Sequence, residues 1–159
     1  MCMRDDKEAF MTRALALSDL SVAAGNHPFG AVLVRGGKII LEAKNTVLSE
    51  NDATCHAEMN LVRLACRELS VDKRATTTLY TSTEPCAMCA GAIYWAGIGQ
   101  IVYGCSAARL NEIAGASLAC HCQEIYQGAV DAPKVQGPVL EDNAVQQHLD
   151  YWTTAWNAE

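Results

Sequence analysis

The chain has 159 residues, 50% of them apolar and 19% charged, a composition that suits one domain with a buried core and excludes a disordered chain. No stretch approaches the roughly 20 consecutive apolar residues of a membrane span, and Met1-Cys2-Met3-Arg4-Asp5-Asp6 lacks the apolar core of a secretory signal. A cytoplasmic protein without membrane contact is expected. Of the net charge of −6, the part beyond residue 100 contributes −5, because only Arg109 and Lys134 stand against Glu112, Glu124, Asp131, Glu141, Asp142, Asp150 and Glu159. Such a surface repels a polyanion, so nucleic acid is not an expected partner.

In chain order, Ala9, Phe10, Ala14, Leu17, Leu20 and Val22 recur close to a helical period and predict a helix from about Asp5 to Ala24. Gly25-Asn26 ends it. Residues Gly30–Arg35 and Lys38–Ala43 flank Gly36-Gly37 and predict a hairpin with a two-residue turn. The helical period returns from about His56 to Leu69, and Thr77 to Ser82 reads as a strand stopping at Glu84-Pro85. A helix from Cys86 to about Ala96 is apolar almost all round and is expected to be buried. Ile101-Val102-Tyr103 and Lys134-Val135-Gln136 predict two short strands, with helix or loop between them, and an amphipathic helix is expected from Glu141 to about Trp156. This order predicts a single α/β domain over residues 1–159, a three-layer α/β/α sandwich around a mixed five-stranded sheet.

The eight cysteines, without an export signal, are expected to stay reduced. Cys66 and Cys105 lie in apolar runs and read as small buried residues. Cys120-His121-Cys122 is not expected to form a second metal site, since neighbours in sequence rarely aim at one ion. The informative pattern is His56-Ala57-Glu58 followed by Pro85-Cys86-Ala87-Met88-Cys89, the H-x-E…P-C-x-x-C signature of zinc deaminases. Cys86 and Cys89, three apart at a helix start, project from one face, and His56 opens the preceding helix. Two thiolates and an imidazole suit Zn²⁺ and leave a fourth position open, as a catalytic zinc requires. A zinc knuckle or a redox pair would need no Glu58. Hydrolysis needs it, to carry a proton from water to the leaving amine.

These residues resemble the cytidine deaminase superfamily, and within it the guanine deaminase and tRNA adenosine deaminase branches. The resemblance runs from about Pro28 to Val102 and includes Pro28-Phe29-Gly30-Ala31-Val32, Asn45, Asn51-Asp52, both metal motifs and Gly91-Ala92-Ile93-Tyr94-Trp95. It implies that His56, Cys86 and Cys89 bind Zn²⁺ and that Glu58 shuttles protons to a ring nitrogen and to departing ammonia. It further implies that the backbone N–H near Ala57 meets a substrate carbonyl, that Asn45 binds the base, and that Phe29 and Trp95 sandwich the ring. Asn45 has a second reading as a turn residue, and Phe29 and Trp95 as core packing.

The Gly91–Ala96 segment is similar to guanine deaminase, which implies a free nucleobase and water as substrates, with guanine converted to xanthine. Cytosine, isocytosine, adenine or a triazine stay open, and so does a tRNA adenosine. Related guanine deaminases carry an acidic pair where Ile113–Leu118 stands here, and Glu112 or Glu141 is a candidate to replace it. By the same resemblance, residues 141–159, with Tyr151, Trp152 and Trp156, close an active site in a homodimer. Their alternative is packing on the sheet.

Overall fold

The computed structural model describes residues 3–115, 118 and 120–156 of the chain. Helix α1 (Met3–Ala23) leads through Gly25 into β1 (Gly30–Arg35) and β2 (Lys38–Lys44). The hairpin turns on Gly36 and Gly37, with φ of +57° and +71°, so that Arg35 pairs with Lys38. Both positions need left-handed backbone, which glycine adopts without a Cβ clash. Then come α2 (Val47–Glu50), α3 (Ala57–Glu68), α4 (Val71–Ala75), β3 (Thr78–Thr83), α5 (Ala87–Ala96), β4 (Gln100–Cys105), α6 (Ala107–Ala114), α7 (Cys122–Ile125), β5 (Lys134–Gln136) and α8 (Glu141–Trp156).

The five strands form one mixed sheet in the order β2-β1-β3-β4-β5. β1 runs antiparallel to both its neighbours, whereas β3, β4 and β5 are parallel. Parallel neighbours need crossovers, and α5 supplies the one from β3 to β4. The period of two along the strands separates two apolar cores. Ala31, Leu33, Leu79 and Ile101 face one side, where they meet Leu61, Val62 and Ala65 of α3, Ala90 and Ile93 of α5, and Cys122 and Tyr126 around α7. Val32, Val34, Tyr80 and Val102 face the other, against Met11, Ala14, Leu15 and Leu17 of α1 and Ala144 of α8. This is the three-layer α/β/α sandwich with a mixed five-stranded sheet expected from the sequence.

Two burial expectations are corrected. Helix α5 is not buried all round: Cys89, Ala90, Ile93 and Ala96 face the core, while Trp95 is 84% exposed. Its sequence has no polar face, so only the position of the sheet decides which side is covered. Cys66 is exposed, because the inward stripe of α3 is Ala57, Glu58, Leu61, Val62 and Ala65 and Cys66 falls beside it. Cys105 is buried as expected. No described helix is long and apolar enough to cross a membrane.

Gly30 lets α1 lie directly on β1: a Cβ there would sit 2.3 Å from the Ala14 carbonyl oxygen and 2.5 Å from the Ser18 nitrogen. Both obstacles are backbone, which cannot turn aside as a side chain would. Gly30→Ala should therefore lower stability by about 3 kcal/mol, as overpacking does. Urea unfolding of the variant within 0.5 kcal/mol of wild type (roughly the scatter of a neutral substitution) would show that α1 can move off the strand.

Candidate active site

Two helix starts meet at the carboxyl end of β3. His56 is the N-cap of α3 and Cys86 the N-cap of α5, both extended, with ψ of 154° and 171°. Neither side chain caps its own helix, which leaves both to face the site. Cys89 follows in the first turn of α5, and the ligand atoms of His56, Cys86 and Cys89 all lie within 4.8 Å of one another. His56 Nδ1 is 3.6 Å from Cys86 Sγ and 3.5 Å from Cys89 Sγ. A tetrahedral zinc with ordinary Zn–N and Zn–S bonds would hold such atoms about 3.6 Å apart. The donor set fits zinc in type, number and spacing.

The Cys86 thiol is pulled down to about 4, first by its hydrogen bond with Cys89 and then by His56. Cys89 is pushed upward, first by the bond to the Cys86 sulfur and then by burial. The pair thus shares one proton in the absence of a cation, and a divalent ion favours the thiolate form of both. The unsatisfied N–H groups at the two helix starts add positive potential.

Glu58, in the first turn of α3, is 4% exposed. Burial, followed by the charge of Cys86, pushes its carboxyl above the usual range, which favours an acid–base role. Thr81 Oγ1 lies 2.8 Å from Glu58 Oε1 and 3.0 Å from the Thr83 carbonyl oxygen. Its hydroxyl can donate to an ionised Glu58, or accept from a protonated one while turning to Thr83. Either protonation state of the carboxyl therefore has a partner.

His56, Glu58 and Cys86 line a cavity of about 560 Å³, within the range of small-molecule sites. Its polar side holds His56, Glu58, Thr83, Glu84 and Cys86, and its apolar side Phe29, Met88, Leu110, Leu118 and Trp152. Phe29 thus stands on the cavity wall. Ala57 is buried at the first helical position of α3, where its N–H has no intrahelical acceptor. Asn45 is buried behind the cavity wall; its Oδ1 accepts from the Val47 N–H and its own N–H donates to the Phe29 carbonyl. Among the described residues no acceptor takes Asn45 Nδ2.

Trp95 corrects the sequence reading, because it packs edge-on against Tyr94 on the outer face of α5 and does not line the cavity. The tryptophan at the cavity is Trp152 of α8, held with Tyr151 around His27. Trp156 lies outside the described side chains.

Three further residues were not legible as functional. Glu84, buried, accepts from the N–H groups of Ala107 and Cys122 and lies 3.3 Å from His121 Nδ1. It ties the starts of α6 and α7 to the end of β3, and only the Glu-Pro-Cys sequence hinted at a role. Thr83 and His148 are joined at 2.7 Å, and nothing in their sequence neighbourhoods signals the pairing.

Cys120, His121 and Cys122 do not converge: Cys122 enters the core while the Cys120 thiol donates to Glu124. Among the described residues, His56, Cys86 and Cys89 form the only group suited to a metal. In the Ile113–Leu118 stretch, Ala114 and Leu118 line the cavity, with Leu110 of α6 beside them. Ala116 and Ser117 lie outside the described residues. Glu112 pairs with Arg109 at the surface, and neither it nor Glu141 reaches the cavity wall.

Fold and site together define a three-layer α/β protein with a His/Cys/Cys donor set that fits zinc and a buried carboxylate beside it. Residues 4–105 match the family model of the cytidine and deoxycytidylate deaminase zinc-binding region, and the chain belongs to that family. It is 35% identical over 150 residues to a probable cytosine deaminase of Schizosaccharomyces pombe, covering 91% of each chain. It is 47% identical over 97 residues to the guanine deaminase of Bacillus subtilis, covering 60% of this chain and 62% of that one. tRNA-specific adenosine deaminases are relatives too. The guanine deaminase structure from Nitrosomonas europaea superposes with a TM-score of 0.80 at 26% identity, over 92% of this chain and 84% of that one.

Burial lowers the His148 imidazole from 6.5 to about 4. The unfolded chain thus takes up a proton near pH 6.5 that the folded chain refuses until about pH 4. The resulting stability is fully present above pH 6.5 and is lost as pH falls towards 4. Between pH 7 and pH 4.5 the loss amounts to about 2–3 kcal/mol. His148→Gln, which has no such proton to bind, should lose that much less over the same interval in urea unfolding. Equal losses in the two proteins would show that His148 is charged in the fold.

Proposed function

We propose that the chain is a zinc-dependent aminohydrolase of a free nucleobase or similar amino-heterocycle, converting guanine to xanthine in the leading case. The observation that carries this reading is the buried Glu58 carboxyl beside the His56, Cys86 and Cys89 donors, in one cavity of about 560 Å³. Zinc, when bound by these three residues, supplies Lewis acidity and makes water nucleophilic at neutral pH. Glu58 takes the proton from the attacking water and hands it to a ring nitrogen beside the carbon under attack. It then assists the departure of ammonia, with the Thr81 hydroxyl following each change of charge. The N–H groups at the starts of α3 and α5 suit a substrate carbonyl, and Phe29 offers a flat apolar surface for the ring.

A base fits better than a tRNA, because the acidic C-terminal third disfavours a phosphate backbone. Guanine is supported by the extent of identity to guanine deaminases. The apolar wall of Leu110, Ala114 and Leu118 favours a second reading, in which a smaller base with fewer polar edges, such as cytosine or a triazine, is the substrate. Trp152 makes α8 the closing element of the same chain's site. Ammonia release from guanine, cytosine, isocytosine, adenine, a triazine, their nucleosides and tRNA, measured side by side, ranks the readings. The best free base should exceed its nucleoside and tRNA, and Glu58→Gln should keep its zinc while losing about 10²- to 10⁴-fold in kcat. Turnover of tRNA alone, or wild-type kcat in the Glu58 variant, would end the proposal.

The same reading includes a homodimer formed on the outer face of α5. Trp95 stands 84% exposed there, with Ala92 partly exposed beside it, and an apolar surface of this kind is one that association covers. Light scattering should give a particle of twice 17.1 kDa, reduced to one chain by Trp95→Glu. A monomeric wild type would remove the dimer and leave the chemistry untouched.

A further inference from the structure

Thr83 ends β3 with its side chain on the cavity wall, beside the groups that perform the chemistry. Behind it stands His148 of α8, 1% exposed and packed against Phe29 with ring centroids 5.4 Å apart. Its two nitrogens have different partners. Trp152 Nε1 is 3.3 Å from His148 Nδ1, and Thr83 Oγ1 is 2.7 Å from His148 Nε2.

The direction of this chain follows from what each group can do. An indole N–H can only donate, so His148 Nδ1 must accept. A neutral imidazole that accepts at one nitrogen carries its proton on the other. His148 Nε2–H therefore donates to Thr83 Oγ1. The threonine oxygen is engaged as an acceptor, and its own hydrogen is left over. Among the described residues no other partner takes Thr83 Oγ1, and the open space beside it is the cavity.

We infer that Thr83 is a specificity-determining residue: the Trp152–His148 pair sets its hydroxyl as a fixed donor, which selects heterocycles presenting an acceptor on that edge. The acceptor is a carbonyl oxygen or an unprotonated ring nitrogen. An edge bearing N–H can reach only the second lone pair of Thr83 Oγ1 and leaves the hydroxyl hydrogen without an acceptor, and is disfavoured. A lone threonine would rotate to suit either edge. The inference rests on the deaminase reading of the cavity and adds to it which edge chemistry the substrate must have.

The tautomer is testable without turnover. Nitrogen NMR of the zinc-loaded protein should show His148 Nδ1 unprotonated and Nε2 protonated at neutral pH. The opposite tautomer, or a doubly protonated ring, overturns the inference. For specificity, Thr83→Val removes the hydroxyl at nearly constant volume. It should lower kcat/KM on the best substrate about 10- to 100-fold, the cost of leaving an acceptor unpaired.

The variant should also shrink the preference for that substrate over deaza or deoxo analogues lacking the acceptor, with zinc content unchanged and a lowered melting temperature, because the buried His148 Nε2–H loses its acceptor. Thr83→Ser should restore most of both. Trp152→Phe frees the His148 tautomer and should shrink the same preference. A preference that is equal in wild type and Thr83→Val overturns the inference, and so does a Thr83→Val loss that Thr83→Ser fails to recover. If the wild type deaminates nothing in the panel, the functional reading fails on its own, and the nitrogen spectrum still decides the tautomer.

Discussion

Everything at the site depends on two helices starting at one place, over the carboxyl end of β3. Helix α5 begins there because β3 and β4 are parallel neighbours and the chain must cross over between them. Helix α3 packs beside it on the same core, through Leu61, Val62 and Ala65 against Ala90 and Ile93. Each helix offers its cap residue and first turn, so His56, Glu58, Cys86 and Cys89 come together from segments about thirty residues apart. The helix starts also set the field, because unpaired N–H groups favour thiolates and negative charge developing on a substrate.

Burial then divides the labour among similar groups. Glu58 and Glu84 are both buried carboxylates on the cavity wall, but their hydrogen bonds assign them different tasks. Glu84 is occupied by two backbone N–H groups, from Ala107 and Cys122, and holds the elements that follow β4 in place. Glu58 faces the Thr81 hydroxyl, which can reverse its direction, and the Cys89 sulfur at 3.7 Å, a setting that suits the proposed proton exchange.

The substrate side of the cavity is built by elements outside the motif. Helix α6 contributes Leu110 and Ala114, and α8 contributes Trp152, with His148 behind. This arrangement separates reaction from selectivity. In the proposed reaction the metal donors and Glu58 would act on any amine attached to a flat nitrogen ring, whereas α6, α8 and Thr83 would decide which ring can lie there. It is consistent with a family whose members resemble this chain yet differ in the base they use.

What the amino-acid order determined by itself was local. The helical period marked α8 over Glu141–Trp156, the Gly36-Gly37 pair marked the hairpin, and the two short motifs marked the metal donors and Glu58. All of these rest on interactions within a few residues or on chemistry that only certain side chains perform. Tertiary structure decided the rest. Trp95 and Trp152 are equally plausible pocket residues in sequence, but α5 turns its Trp95 side away from the sheet while α8 lays Trp152 on the cavity. Cys66 missed burial by one position around α3. The His148–Thr83 contact joins residues 65 positions apart, and no local period reports it. Burial and hydrogen-bond direction are properties of the packed assembly, and only the assembly could say which side of each helix faces the site.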